Sequence, residues 1–232
     1  MKLLNTESLA ATIDNINEAI FFGKKIPETD KIEAVIWIAS RQGIEGSYAK
    51  MPAPTKSDFK LIKLFTGERI TSGAAVSHIL GEESCRLMIL LGAKNSKVIK
   101  ALDESTEGML TRIRAYEADD HSGGMYCCGP CTDSYWRHLA AGGLDDNERR
   151  LKAGLVELKK HRRGDGKWRR FPYYYTLLAL DEISQLEISG RNLITEMRYA
   201  AGGLGNLLKR KPRNDKYDTR RRSLAERILA KC

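Results

Sequence analysis

The residues best equipped for chemistry lie together in Tyr126-Cys127-Cys128-Gly129-Pro130-Cys131-Thr132-Asp133. Two thiols separated by two residues can close a disulfide and reopen it. Here they stand where a helix is expected to begin, so that the helix dipole and free N–H groups favour a thiolate. Cys128 and Cys131 are therefore the redox candidates. The same sulfurs could instead hold zinc: Cys128 (or Cys127), Cys131 and His138 offer three ligands, because Cys131 and His138 are seven positions apart and so fall on one helical face. The sequence carries no second cysteine pair of the kind that marks a structural zinc site. The plainest reading makes these cysteines small buried residues filling a tight helix junction. No cofactor is expected, and zinc is the metal the cluster would admit.

A second set of candidates could line a ligand pocket: Arg86, Trp136, Arg137, Tyr173, Tyr174 and Tyr175. The two arginines could grip an anion through bidentate hydrogen bonds, or pair with acids such as Glu82 or Asp133. The three tyrosines follow Pro172 on a helix, where successive side chains point about 100° apart, so at most two share a face. His78 and His138 read as helix-face residues, since no Ser or Cys partner is fixed beside either. Asp119-Asp120 and Asp145-Asp146 are paired carboxylates at expected helix ends, where capping and solvation account for them. Gly164-Asp165-Gly166 lacks the spacing of a phosphate loop.

The elements that must position these residues are helical. Leu9, Ile13, Ile16 and Ile20 form a stripe in residues 7 to 21, closed by Gly23, and a second helix runs from Pro27 to about Gly43. Residues 46 to 73, with Pro52, Pro54, Gly67 and Gly73, form the longest expected loop. Further helices are expected over 74–91, 99–116, 132–141, 146–162, 172–188, 190–201 and 219–230. Asp146 suits an N-cap and Pro172 a first helical position. Nothing in the sequence reads as a β-hairpin, and the class is all-α.

A Gly-x-aromatic punctuation recurs in Gly46-Ser47-Tyr48, Gly124-Met125-Tyr126 and Gly166-Lys167-Trp168. Glycine lets the chain leave a helix in a left-handed conformation, and the aromatic two residues on packs back over the junction. The helices after the first two turns also align, with Arg86 over Arg137. Helix, glycine-aromatic turn, helix is thus a repeated unit.

Ala34-x-x-Trp37-Ile38-x-x-x-Gln42-x-x-x-Gly46-x-Tyr48 resembles the Gln-Trp repeat of terpenoid cyclases, which are similar in fold to protein prenyltransferase β-subunits. It departs at Glu33, where the repeat has a basic residue, and at Tyr48, where it has Trp. Lys152-Ala153 through Gly166-Lys167-Trp168 looks like a second copy. The resemblance covers about residues 30 to 190 and implies repeated helical hairpins forming part of an α/α toroid. It also implies that the helices after the turns, near 74–91, 132–141 and 172–183, face inward and offer a concave surface for a small ligand or peptide. The acidic motif with which the cyclases protonate an alkene has no counterpart here. The zinc motif of the prenyltransferases is met only in reverse, as Cys131-x-Asp133. Cys-Gly-Pro-Cys is also the dithiol sequence of thioredoxins, but the strands that surround it there have no counterpart. An ordinary helical bundle or solenoid remains the alternative plan.

Composition sets outer bounds. Of 232 residues 42% are hydrophobic and 30% charged, enough for a real core in a single expected domain, 1–232. No apolar run approaches the roughly 20 residues of a membrane span, and the polar residues after Leu4 interrupt any secretory h-region. Five cysteines are an odd number for a disulfide framework, and a soluble, cytoplasmic protein is expected. The net charge of +9 is uneven: residues 149–170 carry +8 and 207–232 carry +7, leaving −6 elsewhere. Nucleic-acid association through these basic segments is thus a further alternative to ligand binding and to thiol or metal chemistry.

Overall fold

A computed structural model describes residues 2–60, 62–92, 94–119, 121, 123–186 and 190–232. Its helices are α1 (Leu9–Phe21), α2 (Glu28–Ala39), α3 (Gly73–Leu90), α4 (Ser96–Ala118), α5 (Gly129–Ala140), α6 (Asn147–Lys160), α7 (Tyr173–Ile183), α8 (Arg191–Lys209) and α9 (Lys216–Leu229), with a 3-10 turn at Lys56–Phe59. Two isolated bridges, Gln42 with Pro52 and Arg162 with Trp168, are the extended pairings among the described residues. The protein is all-α, as its sequence requires.

The chain forms two compact units. The first comprises Met1–Ile62, Arg69–His121 and Ala141–Asp145; the second comprises Lys63–Glu68, Ser122–Ala140 and Asp146–Cys232. In the first, α1 packs on α3 and α2 on α4, while α3 also meets α2, α4 and the 3-10 turn. In the second, α5, α7 and α9 pack in succession, α6 packs on α8, and the α5–α6, α7–α8 and α8–α9 contacts join the two rows. Each unit therefore repeats one plan, in which a helix packs on the next but one. These are repeated helical hairpins resembling part of an α/α toroid.

Local chemistry explains the elements. Ser8 caps α1 by accepting from Ala11 N, and Asp58 of the 3-10 turn reinforces that end by accepting from Leu9 N at 3.0 Å and Ala10 N at 3.2 Å. Leu9, Ile13 and Ile16 are buried on one stripe. The helices after the glycine-aromatic turns are different in kind. From His78 to Met88 on α3, from Cys131 to Leu139 on α5 and from Tyr175 to Asp181 on α7, every side chain is buried, polar ones included. On α3 and α7 enclosure on every face leaves little amphipathic pattern, so glycine and proline punctuation locates them better than periodicity does.

Two of the three turns share a geometry. Ala53 N donates to Arg41 O at 2.9 Å and Arg169 N to His161 O at 2.8 Å, across turns in which Gly46 and Gly166 take φ of 86° and 78°. The aromatic then packs forward: Tyr48 stacks on His78 with centroids 4.3 Å apart, and Trp168 Nε1 donates to Glu196 Oε2 at 2.9 Å. The middle turn differs. Its left-handed residue is Gly123, at φ 64°, while Gly124 is needed for space, since a Cβ there would lie 2.2 Å from Gly154 N.

Four boundary expectations need correction. Helix α8 continues past 201 to Lys209 because Leu204 and Leu207 prolong the buried stripe of Met197 and Ala200, outweighing Gly202, Gly203 and Gly205. Helix α7 ends at Ile183, and residues 187–189, with which its expected end overlaps, lie outside the described residues, as does Asp120. Asp146 sits at the cap position of α6 in a left-handed conformation with φ 53°, and its carboxylate pairs with Arg149 instead of capping. Pro172 is the residue before the first turn of α7 rather than within it.

These packings predict opposite effects of two Gly→Ala changes. Gly124→Ala should destabilise the fold by about 1–3 kcal/mol, the usual range for overpacking, because backbone blocks the methyl. Gly202→Ala, in mid-helix with nothing within 4 Å of the added methyl, should stabilise it by about 0.5–1 kcal/mol. Urea unfolding of both variants checks the pair.

Candidate functional site

In the second unit, Cys128 occupies the N-cap position of α5: its carbonyl accepts from Thr132 N at 2.8 Å, and Gly129 is the first helical residue. Gly129 can only be glycine, because a Cβ there would stand 2.0 Å from the carbonyl oxygen of Arg170. Thr132 ties the preceding turn to the helix, its hydroxyl accepting from Tyr126 N at 3.2 Å and donating to Tyr126 O at 3.0 Å. Trp136 Nε1 donates to Gly124 O at 2.7 Å and Tyr135 Oη to Gly123 O at 3.1 Å, so α5 holds its own entry turn at three places.

This framework brings the Cys128 and Cys131 sulfurs to 3.1 Å from one another. Cys128 is exposed and Cys131 buried. The hydrogen bond with Cys128, followed by burial, pushes the Cys131 thiol well above its ordinary range, so Cys131 keeps its proton while Cys128 faces solvent. Cys127, exposed and held at φ 67°, is the third thiol of the group, and its sulfur lies within 4.8 Å of that of Cys131. Sulfurs so spaced can ligate one soft metal ion such as zinc. The expected third ligand needs correction: among the described residues, His138 does not gather within 4.8 Å of both Cys128 and Cys131. It is wholly buried in the middle of α5.

Below the thiols, Asp133 is fully buried between α5 and α7. Its Oδ2 accepts from Thr176 Oγ1 at 2.9 Å, while its Oδ1 has no protein partner. Burial is the main cause holding its carboxyl far above the usual range; Thr176 and Arg137 oppose this, and Glu68 and Cys128 add to it. Nothing in the sequence distinguished Asp133 as a buried acid, apart from its place two residues after Cys131.

The pocket candidates divide between the units. Arg86, in the first, donates to Asn17 Oδ1 at 2.8 Å and lies 3.7 Å from Glu83. Arg137, in the second, makes a bidentate pair with Glu182, both bonds 2.9 Å, and reaches Tyr175 Oη at 3.3 Å. Glu182 on α7 is thus a carboxylate partner of Arg137, whose charge also acts on Asp133. Tyr175 is core and also bonds Ser134 at 2.9 Å, while Trp136 stacks on Phe171 at 5.7 Å. Tyr173 and Tyr174 are half-buried and meet edge to face; Tyr173 Oη donates to Ala200 O at 2.7 Å, and the Arg221 guanidinium lies over Tyr174 at 4.6 Å. The two described cavities lie elsewhere. One of about 690 Å³ is bordered by Arg41, Lys56 and Lys60 in the first unit, and one of about 350 Å³ by Leu155, Val156 and Arg191 in the second.

Fold and site together define an all-α helical-repeat protein with a cysteine cluster at the mouth of one buried helix. Comparison with protein-family models, curated proteins and solved structures finds no match. Among the described residues no helix is long and apolar enough to cross a membrane.

Asp133 gives the site a pH signature. The unfolded chain releases this proton near pH 4, whereas the folded chain retains it to higher pH; over that window the folded state binds more protons and stability falls as pH rises. This contribution is fully present below about pH 3.9 and is lost progressively as pH climbs toward the raised folded value. Against Asp133→Asn, wild-type unfolding midpoints should decline more steeply above about pH 4, and the two profiles should run parallel at the acid end and again above the raised folded value.

Proposed function

We propose that Cys128 and Cys131 form a redox-active dithiol that exchanges with disulfides. The observation that carries this reading is the 3.1 Å sulfur pair with one exposed and one buried member at a helix N-terminus. Cys128, as the thiolate, attacks one sulfur of a substrate disulfide, forming a mixed disulfide and releasing one substrate thiolate. Cys131 then gives up its proton to that leaving thiolate and attacks the Cys128 sulfur, releasing the second substrate thiolate. The protein pair is oxidised by two electrons and the substrate disulfide is reduced to two thiols.

The Gln-Trp-like turns support a shared helical plan with terpenoid cyclases and prenyltransferases. Because the sequence has neither family's catalytic motif, the chemistry is assigned to the thiols. A second reading, capture of a small ligand by α5 and α7 of the second unit, draws support from Asp133 Oδ1, a buried oxygen that a ligand donor would satisfy.

Mixed-disulfide trapping tests the dithiol. With oxidised glutathione, Cys131→Ser and Cys131→Ala should each accumulate glutathione at Cys128, because the resolving thiol is gone, whereas the wild type should pass to an internal Cys128–Cys131 disulfide. Equal labelling of Cys127 and Cys232, or stoichiometric zinc that is lost in Cys131→Ser, would sink the proposal. Peptide mass spectrometry distinguishes these outcomes.

A further inference from the structure

The corner between α8 and α9 carries a separate feature of the second unit. Lys209, Arg210, Lys211 and Arg213 are exposed within five residues and belong to none of the ion pairs found among the described residues. Both nearby carboxylates are turned to other uses. Asp215 caps α9 by accepting from Tyr217 N at 3.2 Å, and Asp218 accepts from Arg213 N at 3.0 Å and from Arg222 Nε at 2.8 Å. The Arg213 N–H and Arg222, with a smaller contribution from the Arg213 charge, hold Asp218 below the usual carboxylate range, so it stays ionised in this role.

Arg222 also fixes the corner's main chain, donating to Leu208 O at 3.3 Å and Arg210 O at 2.6 Å. The backbone is therefore pinned by an ion pair while its four cations project into solvent. A free chain relieves such repulsion by extending; a pinned one keeps its positive potential concentrated.

We propose that this corner is a docking surface for the phosphodiester backbone of a nucleic acid. Its two guanidinium groups suit bidentate phosphate contacts. The run Lys209-Arg210-Lys211-Pro212-Arg213-Asn214-Asp215-Lys216 offers no large apolar side chain to insert into a bilayer, which a membrane-docking segment requires. The other basic segment differs: on α6, Lys152 pairs with Glu148 and Lys160 with Glu157, so part of its charge is already compensated.

Fluorescence anisotropy of the whole protein with a labelled oligonucleotide, titrated with salt, tests this surface independently of the thiols. Four phosphate contacts to a single strand give a slope of log K on log salt of about −2.8, or about fifty-fold weaker binding at 200 than at 50 mM. Lys209→Ser/Lys211→Ser/Arg213→Ser should reduce the slope to about −0.7 and the salt effect to about threefold. Lys152→Ser/Lys160→Ser should leave both nearly unchanged. An unaltered slope in the triple variant, an equal loss in the α6 variant, or binding to phosphatidylserine vesicles with none to the oligonucleotide would overturn the assignment. The altered side chains are exposed, and an unchanged helical circular-dichroism spectrum confirms that each variant is folded.

Discussion

The candidate site depends on one close approach of main chain to main chain. Gly129, at the start of α5, rests against the carbonyl of Arg170, with no room between them for a side chain. Arg170 accepts a left-handed φ of 68° at that point. The approach fixes the first turn of α5 against the segment that leads into α7, and so decides which cysteine faces water and which faces the core. Gly124 and Gly154 repeat the device at the other side of α5, where Trp136 closes over both. Three glycines thus seat one helix, and at none of them is a left-handed φ the reason for glycine.

What surrounds the thiols is unusually polar for a core. Buried polar groups are costly unless paired, and removing one member of a buried ion pair typically costs about 3–5 kcal/mol. The second unit meets this requirement across α5 and α7: Arg137 with Glu182 and Tyr175, Ser134 with Tyr175, and Asp133 with Thr176. These bonds are directional, so they fix the register of the two helices in a way that leucine contacts alone would not. The Asp133 Oδ1 stands outside this accounting, and a buried oxygen without a partner is a feature that calls for its own explanation.

Much of the fold was legible in the sequence, for identifiable reasons. Gly23, Pro27 and Pro172 marked helix ends, the Gly-x-aromatic turns marked the junctions, and the Cys-Gly-Pro-Cys run marked a helix start. The end of helix α8 was not legible, because Gly202, Gly203 and Gly205 weaken its local signal and only the burial of Leu204 and Leu207 shows why the helix goes on. The partners of Arg86 and Arg137 were beyond local reading. Glu83 lies three residues from Arg86, but Asn17, which bridges them, and Glu182, which holds Arg137, are 69 and 45 residues distant. Cys128 and Cys131 were found because helical spacing is short-range, whereas placing His138 with them extrapolated that spacing through two turns.

The central claim is that Cys128 and Cys131 act as one two-electron couple. The direct measurement equilibrates the protein in glutathione buffers of graded potential, quenches with acid, and determines the oxidised fraction of the two cysteines together. The account predicts a single transition in which both thiols are lost in step, with a tenfold change in the ratio of oxidised to reduced protein for about 30 mV. Thiols that oxidise at separate potentials, or a slope of about 59 mV per tenfold change, would contradict it.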